Sequence, residues 1–141
     1  MRADGVREVR IAWLAGALLL CANVASGDNA DAAIDWTHAE RVDVQMLEYE
    51  FVPDQLRFRH GVPYQLHLIN AGKEGHDFTA PDFFNAVDVS NADLLGAGKS
   101  SIYVKPGETA DIYFIADHAG LFAPRCADHD WAGMKATIIV D

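Results

Sequence analysis

The sequence predicts an all-β domain, a sandwich of short strands, and three observations carry that prediction. From Arg41 onward the apolar residues fall in short runs, many of them strictly alternating with polar ones. Each run is closed by a turn signal: Pro53-Asp54, His60-Gly61, Ala71-Gly72, Pro106-Gly107-Glu108 and Asp117-His118-Ala119-Gly120. No amphipathic segment of helix length separates the runs, which argues against an α/β enzyme. Seven or eight strands in about 100 residues suit an antiparallel sandwich.

The chain opens with a different kind of segment. Arg2, Arg7 and Arg10 precede an apolar run over residues 11–22 and the small residues Ala25, Ser26 and Gly27. This is the pattern of a secretory signal over 1–26, cleaved before Gly27. The run is too short to span a bilayer comfortably. Cys21 lies inside it, but Leu20 is bulky where lipid-modified cysteines follow a small residue. Residues 27–40 are polar and alanine-rich, with Trp36 and His38 as notable side chains, and read as a partly disordered leader. The domain proper is expected over 41–141.

Within it, residues 42–46 alternate and read as a strand, followed by 49–51 and, after Pro53-Asp54, by 55–59. Pro63–Asn70 is the clearest strand. Residues 82–95 carry Phe83, Phe84, Val87, Leu94 and Leu95 without clean alternation and read as a long loop with one or two helical turns. Gly96-Ala97-Gly98-Lys99-Ser100 resembles a phosphate loop, but the glycine required five residues before Gly98 is Asp93. Strands follow at Ser101–Val104, 109–115, 121–126 and 135–140.

Length and composition narrow the function. The chain has 141 residues, half of them hydrophobic, enough for one domain with a real core. Its formal net charge is −10, and loss of residues 1–26 would remove three arginines against two acids. Such a surface argues against nucleic acid and anionic membranes as partners; it favours a basic partner and cations, or serves solubility alone. With Cys21 gone, Cys126 is the only thiol, so no internal disulfide can form. An unpaired thiol in an oxidising compartment needs burial or a metal.

The chemistry concentrates in Cys126-Ala-Asp-His129-Asp-Trp-Ala-Gly-Met134. A thiol and an imidazole three residues apart converge readily from an extended-to-turn loop, and Gly133 lets the backbone turn so that the Met134 thioether faces the same point. His76, delivered by the flexible Gly72-Lys73-Glu74-Gly75 turn, is the fourth candidate. A soft sulfur, two imidazoles and a weak thioether make the donor set of a trigonal copper site. Structural zinc sites usually carry more cysteines in C-x2-C pairs, and no nucleophile signature surrounds Cys126. His38, His60, His67 and His118 have no partner at ligand spacing and read as surface residues.

Tyr49-Glu50-Phe51-x-Pro53, Leu56-x-Phe58-x-x-Gly61, Leu66-x-Leu68-x-Asn70-x-Gly72 and His76-Asp77-Phe78 resemble the first half of a cupredoxin. Val104-x-Pro106-Gly107-Glu108 and Gly120-x-Phe122-x-x-x-Cys126-x-x-His129-x-x-x-Gly133-Met134 resemble its second half. The Cys-to-His-to-Met spacing is similar to that of the plastocyanin/pseudoazurin branch. The resemblance implies a Greek-key β-sandwich or barrel binding one type 1 copper (Cu+/Cu2+). His76, Cys126 and His129 would be equatorial ligands and Met134 the axial one. It also implies an apolar patch at the edge of His129, to which Trp131, Ala132, Gly133, Phe83 and Phe84 would contribute.

Three positions depart from the family pattern. Arg125 and Pro124 stand where an aromatic residue is common, and Pro124 removes a ladder donor, so the strand there must be an edge or a bulge. Asp77 stands where Asn is common; it could accept a hydrogen bond from a backbone N–H or a hydroxyl. With Glu74, Asp128 and Asp130, its charge should favour Cu(II) and lower the potential.

The expected function is that of a periplasmic or otherwise exported one-electron carrier, a monomer and not an enzyme, serving a redox partner with a basic docking surface. The mature chain would not insert in a membrane. The alternative is a periplasmic copper-binding protein for resistance, storage or delivery. The mature chain has no cluster of Met or His for such delivery, and too few histidines for a multicopper oxidase or reductase.

Overall fold

The computed structural model describes residues 33–141; the expected signal segment and the first part of the leader lie outside them. The strands are β1 (Glu40–Leu47), β2 (Glu50–Val52), β3 (Gln55–Phe58), β4 (Pro63–Asn70), β5 (His76–Thr79), β6 (Val87–Val89), β7 (Ser101–Val104), β8 (Thr109–Ala116), β9 (Gly120–Phe122) and β10 (Thr137–Val140). One short helix, α1 (Pro81–Ala86), and single 3-10 turns at Trp36–His38, Ala92–Leu94 and Asp130–Ala132 complete the description. No helix among the described residues is long and apolar enough to cross a membrane.

The strands form a sandwich with β2-β1-β4-β8-β6 in one layer and β3-β10-β9 and β5-β7 in the other. Alternation decides which side chains enter. In β4, Tyr64, Leu66, Leu68 and Asn70 point in, while Gln65, His67 and Ile69 point out. In β8, Ile112, Phe114 and Ala116 point in. Across the gap, Phe58 of β3 packs its ring 5.0 Å from Phe114 and 4.9 Å from Tyr64. Phe51 of β2 meets Phe78 of β5 at 5.5 Å. Edge-to-face packing of this kind adds to the burial of large apolar areas.

Two expectations are corrected here. The sandwich is not purely antiparallel: β1 pairs parallel with β4, and β3 with β10. The chain leaves the first layer after β2, runs through β3 in the opposite layer and returns beside β1 in the same direction. That crossover is what a parallel neighbour requires. The second correction concerns 82–95. Pro81 presets the first turn of α1, and this helix turns Phe83 and Phe84 inward, leaving them 0 % and 4 % exposed. Phe83 lies 5.1 Å from Phe114 and 5.4 Å from Phe122. These rings are core and cannot form a surface patch.

The segment read as one strand over 121–126 is in two pieces. β9 stops at Phe122; Pro124 then offers its carbonyl to the Ala136 N–H at 2.9 Å. Arg125 makes isolated bridges to Thr79 on one side and Lys135 on the other. That stitch joins the two sheets of the second layer and sets Cys126 beside the start of β5. Near the start of the described residues, Trp36 packs 6.0 Å from Tyr113 of β8, so the last part of the expected leader rests on the sheet.

Candidate metal centre

The end of the sandwich carries two loops. The first, residues 71–75, leads from β4 into β5 and is clipped by Asn70, which is buried. Its side-chain amide donates to the carbonyls of Glu74 (2.8 Å) and Val104 (2.9 Å) and accepts from the Gly72 N–H (3.0 Å). All of its hydrogen-bonding capacity bar one lone pair goes into fixing the turn that delivers His76.

The second loop runs from Cys126 to Met134. The Cys126 N–H donates to the Met134 carbonyl at 3.0 Å, so the loop closes on itself. Asp130–Ala132 makes one 3-10 turn, ended by Gly133 at φ +80°, a left-handed conformation that favours glycine. The Trp131 indole N–H donates to the Asp128 carbonyl at 3.1 Å.

Together the loops bring His76, Cys126 and His129 to one point. Their donor atoms all lie within 4.8 Å of one another, the only such group of three His, Cys or acidic side chains among the described residues. His76 Nδ1 is 3.2 Å from His129 Nδ1, and His129 Nδ1 is 3.3 Å from Cys126 Sγ. Two nitrogens bound about 2.0 Å from one ion sit about 3.3–3.5 Å apart at tetrahedral to trigonal angles. The spacing therefore fits one metal ion. His76 and Cys126 are fully buried and His129 is 9 % exposed. Met134 is tied to this cluster by its backbone and its side chain is fully buried.

Asp77 links the two loops. Its carboxylate accepts from the Ala127 N–H at 2.9 Å, the Asp128 N–H at 3.4 Å, the Cys126 thiol at 3.3 Å and the Thr79 hydroxyl. In return its own N–H donates to Cys126 Sγ at 3.4 Å. Burial alone would raise the carboxyl's pKa; the Ala127 N–H, the Thr79 hydroxyl, the thiol and the Asp128 N–H outweigh it and hold the group below the usual carboxylate range. Burial pushes the Cys126 thiol up; the Asp77 N–H opposes this and the Asp77 carboxylate reinforces it. A cation bound by the sulfur takes the place of that proton.

The back of the cluster is lined by Glu48, which sequence reasoning missed, by Glu74, expected only as a nearby charge, and by Tyr49, expected only as part of a motif. Glu48 Oε1 accepts from the N–H groups of Lys73 and of Glu74, the latter at 2.8 Å. It lies 3.5 Å from His76 Nε2. These backbone donors, first Glu74 and then Lys73, lower the Glu48 pKa against the effect of burial. Glu74 Oε2 lies 3.0 Å from His129 Nε2. Tyr49 stacks 4.8 Å from the His129 ring and 5.4 Å from Trp131, and its hydroxyl reaches Glu74 at 3.4 Å. The visible signal for Tyr49 was its place in Tyr49-Glu50-Phe51. Glu48 carries no motif; only the parallel pairing of Met46 with Asn70 brings it to the 71–75 turn.

Of the remaining histidines, His38 pairs with Asp35 at 2.7 Å and the His60 ring meets the Asp141 carbonyl at 2.7 Å. His67 is not the free surface residue expected: its ring is largely covered and lies 2.5 Å from Asp111 on the neighbouring strand. Trp131 is 76 % exposed, as expected of a patch beside His129.

No protein-family model matches the chain, and no curated protein matches it. Solved structures do. Auracyanin B matches with a TM-score of 0.55 at 19 % identity, over 73 % of this chain and 89 % of that one. The dithionite-reduced auracyanin of Roseiflexus castenholzii matches with a TM-score of 0.54 at 14 % identity, over 73 % and 98 %. The McoA multicopper oxidase of Aquifex aeolicus matches with a TM-score of 0.56 at 15 % identity, over 77 % of this chain but 30 % of that one. The fold is the cupredoxin fold, and its neighbours include an enzyme as well as small single-domain proteins.

Proposed function

We propose that the chain is an exported one-electron carrier holding one copper ion through His76 Nδ1, Cys126 Sγ and His129 Nδ1, with the Met134 thioether as a weak fourth ligand. The observation that carries the reading is the convergence of two imidazoles and one thiol at a buried point of a cupredoxin fold. Copper in such a soft, three-coordinate donor set supplies a one-electron couple.

The chain's own residues make that couple usable. Asp77 and Asn70 hold both ligand loops through hydrogen bonds, so the donors are set in place before an electron arrives. The Asp77 N–H directed at Cys126 Sγ stabilises the thiolate without neutralising it. His129, the least buried donor, lies beneath Tyr49, which also packs on the exposed Trp131, and this supports reading that end as the contact face for a redox partner. The acidic balance of the chain suits a partner with a basic docking surface.

Two observations favour a carrier over the alternatives. Complete burial of His76 and Cys126 disfavours ready exchange of the ion, as a delivery protein would need. Among the described residues no second metal-ligand group accompanies the first, which disfavours a multi-centre oxidase. The test is a Cu(II) titration of the protein and of Cys126→Ser, followed by optical and EPR spectra. An intense thiolate-to-copper band at one equivalent, absent in the variant, supports the site; rapid self-exchange then supports the carrier. Weak copper spectra that persist in Cys126→Ser overturn it.

A further inference from the structure

We propose that Glu48 and Glu74 are positioning residues of this centre, each fixing the tautomer of one ligand histidine through its outer ring nitrogen. The inference rests on the reading of His76 and His129 as ligands. A neutral imidazole has one lone-pair nitrogen and one N–H. Both Nδ1 atoms are turned toward the shared point, so in each ring the proton belongs on Nε2, where it needs an acceptor.

The two acids stand at those places. Glu74 Oε2 is 3.0 Å from His129 Nε2. His76 Nε2 is fully buried and has no hydrogen-bond partner, and the carboxylate facing it is Glu48, at 3.5 Å. That is longer than a normal hydrogen bond, so in this structure the carboxylate acts on the ring through its charge. In the opposite tautomer each ring would turn a lone pair toward a carboxylate oxygen, which is repulsive. The acids thus select the form in which both Nδ1 lone pairs face Cys126 Sγ.

Each acid has a contact besides its histidine. Glu48 is anchored by the N–H groups of Lys73 and Glu74. It sits so close to Gly72 that any side chain there would run into its carboxylate. Glu74 is met by the Tyr49 hydroxyl on its other oxygen. A carboxylate behind a ligating imidazole also strengthens that imidazole as a donor, which makes the pair a device for holding the ion and not only for shaping the pocket.

The test uses the whole chain and the variants Glu48→Ala, Glu48→Gln, Glu74→Ala and Glu74→Gln. Long-range 15N–1H spectra of the metal-free proteins at about pH 8, where imidazoles are neutral, read the tautomers directly. Co(II) titration reads site formation without copper's redox chemistry. The wild type should hold both histidines as the Nε2–H form. Each Ala variant should release its own histidine to mixed tautomers and weaken Co(II) binding about 10- to 100-fold. The Gln variants, which keep an acceptor oxygen, should retain the tautomer and lose less; Glu48→Gln also covers the case in which Glu48→Ala fails to fold. Unchanged tautomers, absent Co(II) binding, or affinities within about twofold of the wild type overturn the proposal. Carboxylate-dependent tautomers and Co(II) affinity in a chain that develops no intense copper band would support it while the electron-carrier reading fell.

Discussion

Replacing Asp77 by Ala removes the acceptor that joins the His76 strand to the Cys126 loop, and the size of the loss can be worked from its contacts. The bond from the Ala127 N–H, at 2.9 Å, is the shortest from a backbone donor, and its acceptor is a buried carboxylate. Hydrogen bonds to charged groups contribute about 1.5–3 kcal/mol each. The Thr79 hydroxyl can rotate toward water, and the Asp128 N–H is at 3.4 Å in an exposed stretch, so these two add little more. Asp77→Ala should therefore cost about 2–4 kcal/mol, a sizeable part of the roughly 5–15 kcal/mol typical of a domain. Asp77→Asn keeps one carbonyl oxygen but sets an NH2 among donors, and should fall between. The assay is urea unfolding of the metal-free protein, read as a lower midpoint at unchanged slope. A midpoint for Asp77→Ala equivalent to a loss below about 0.5 kcal/mol would refute the reasoning. The loop would then be held by its backbone closure alone.

The packing of α1 predicts that Phe83→Ala loses about 3–5 kcal/mol of stability. Trp131→Ala, at an exposed position, changes unfolding by less than about 0.5 kcal/mol and slows electron exchange of the copper-loaded protein; thermal melts and self-exchange rates separate the two. Burial would raise the Asp111 pKa, but the His67 ring and the Gln65 amide hold it below 3.8. A depressed folded pKa means that the unfolded chain binds the proton more readily. The stability gap between wild type and Asp111→Asn should thus be present above the unfolded value of 3.8 and close as pH falls through the folded one. Urea midpoints at about pH 7 and about pH 2.5 check this. In the copper-loaded protein, Asp77→Asn and Asp128→Asn should raise the reduction potential, since removing nearby negative charge disfavours Cu(II); voltammetry that finds no change counts against it.

What could be read beforehand followed the range of the interactions involved. Pro63–Asn70 and Ser101–Val104 were legible as strands because alternation is local and one face of each is buried. Cys126 and His129 were legible as a pair because three residues separate them. The parallel pairing of β1 with β4 was not, since it depends on a crossover through the opposite layer and leaves no hairpin signal. Phe83 and Phe84 were misassigned because six residues of helix are too few to display a periodicity. His67 looked free because its partner, Asp111, lies across a strand pair whose register cannot be read from either strand alone. Glu48 was invisible for the same reason as the crossover that carries it to the 71–75 turn.

The closure of the second ligand loop has a consequence for how such a site diversifies. Cys126 and Met134 are joined by a backbone hydrogen bond, and the residues just outside them, Arg125 and Lys135, bridge each other within the sheet. The intervening stretch is thus a cassette whose two ends are already paired. Residues can be added, deleted or exchanged inside it while the barrel beneath keeps every ladder partner, because loop length costs little once the ends are held. Three of the four proposed ligands lie on that cassette. Change inside the cassette therefore leaves the strand ladders intact, while the Asp77 contacts and the buried Cys126 and Met134 still tie the loop to the stability of the domain.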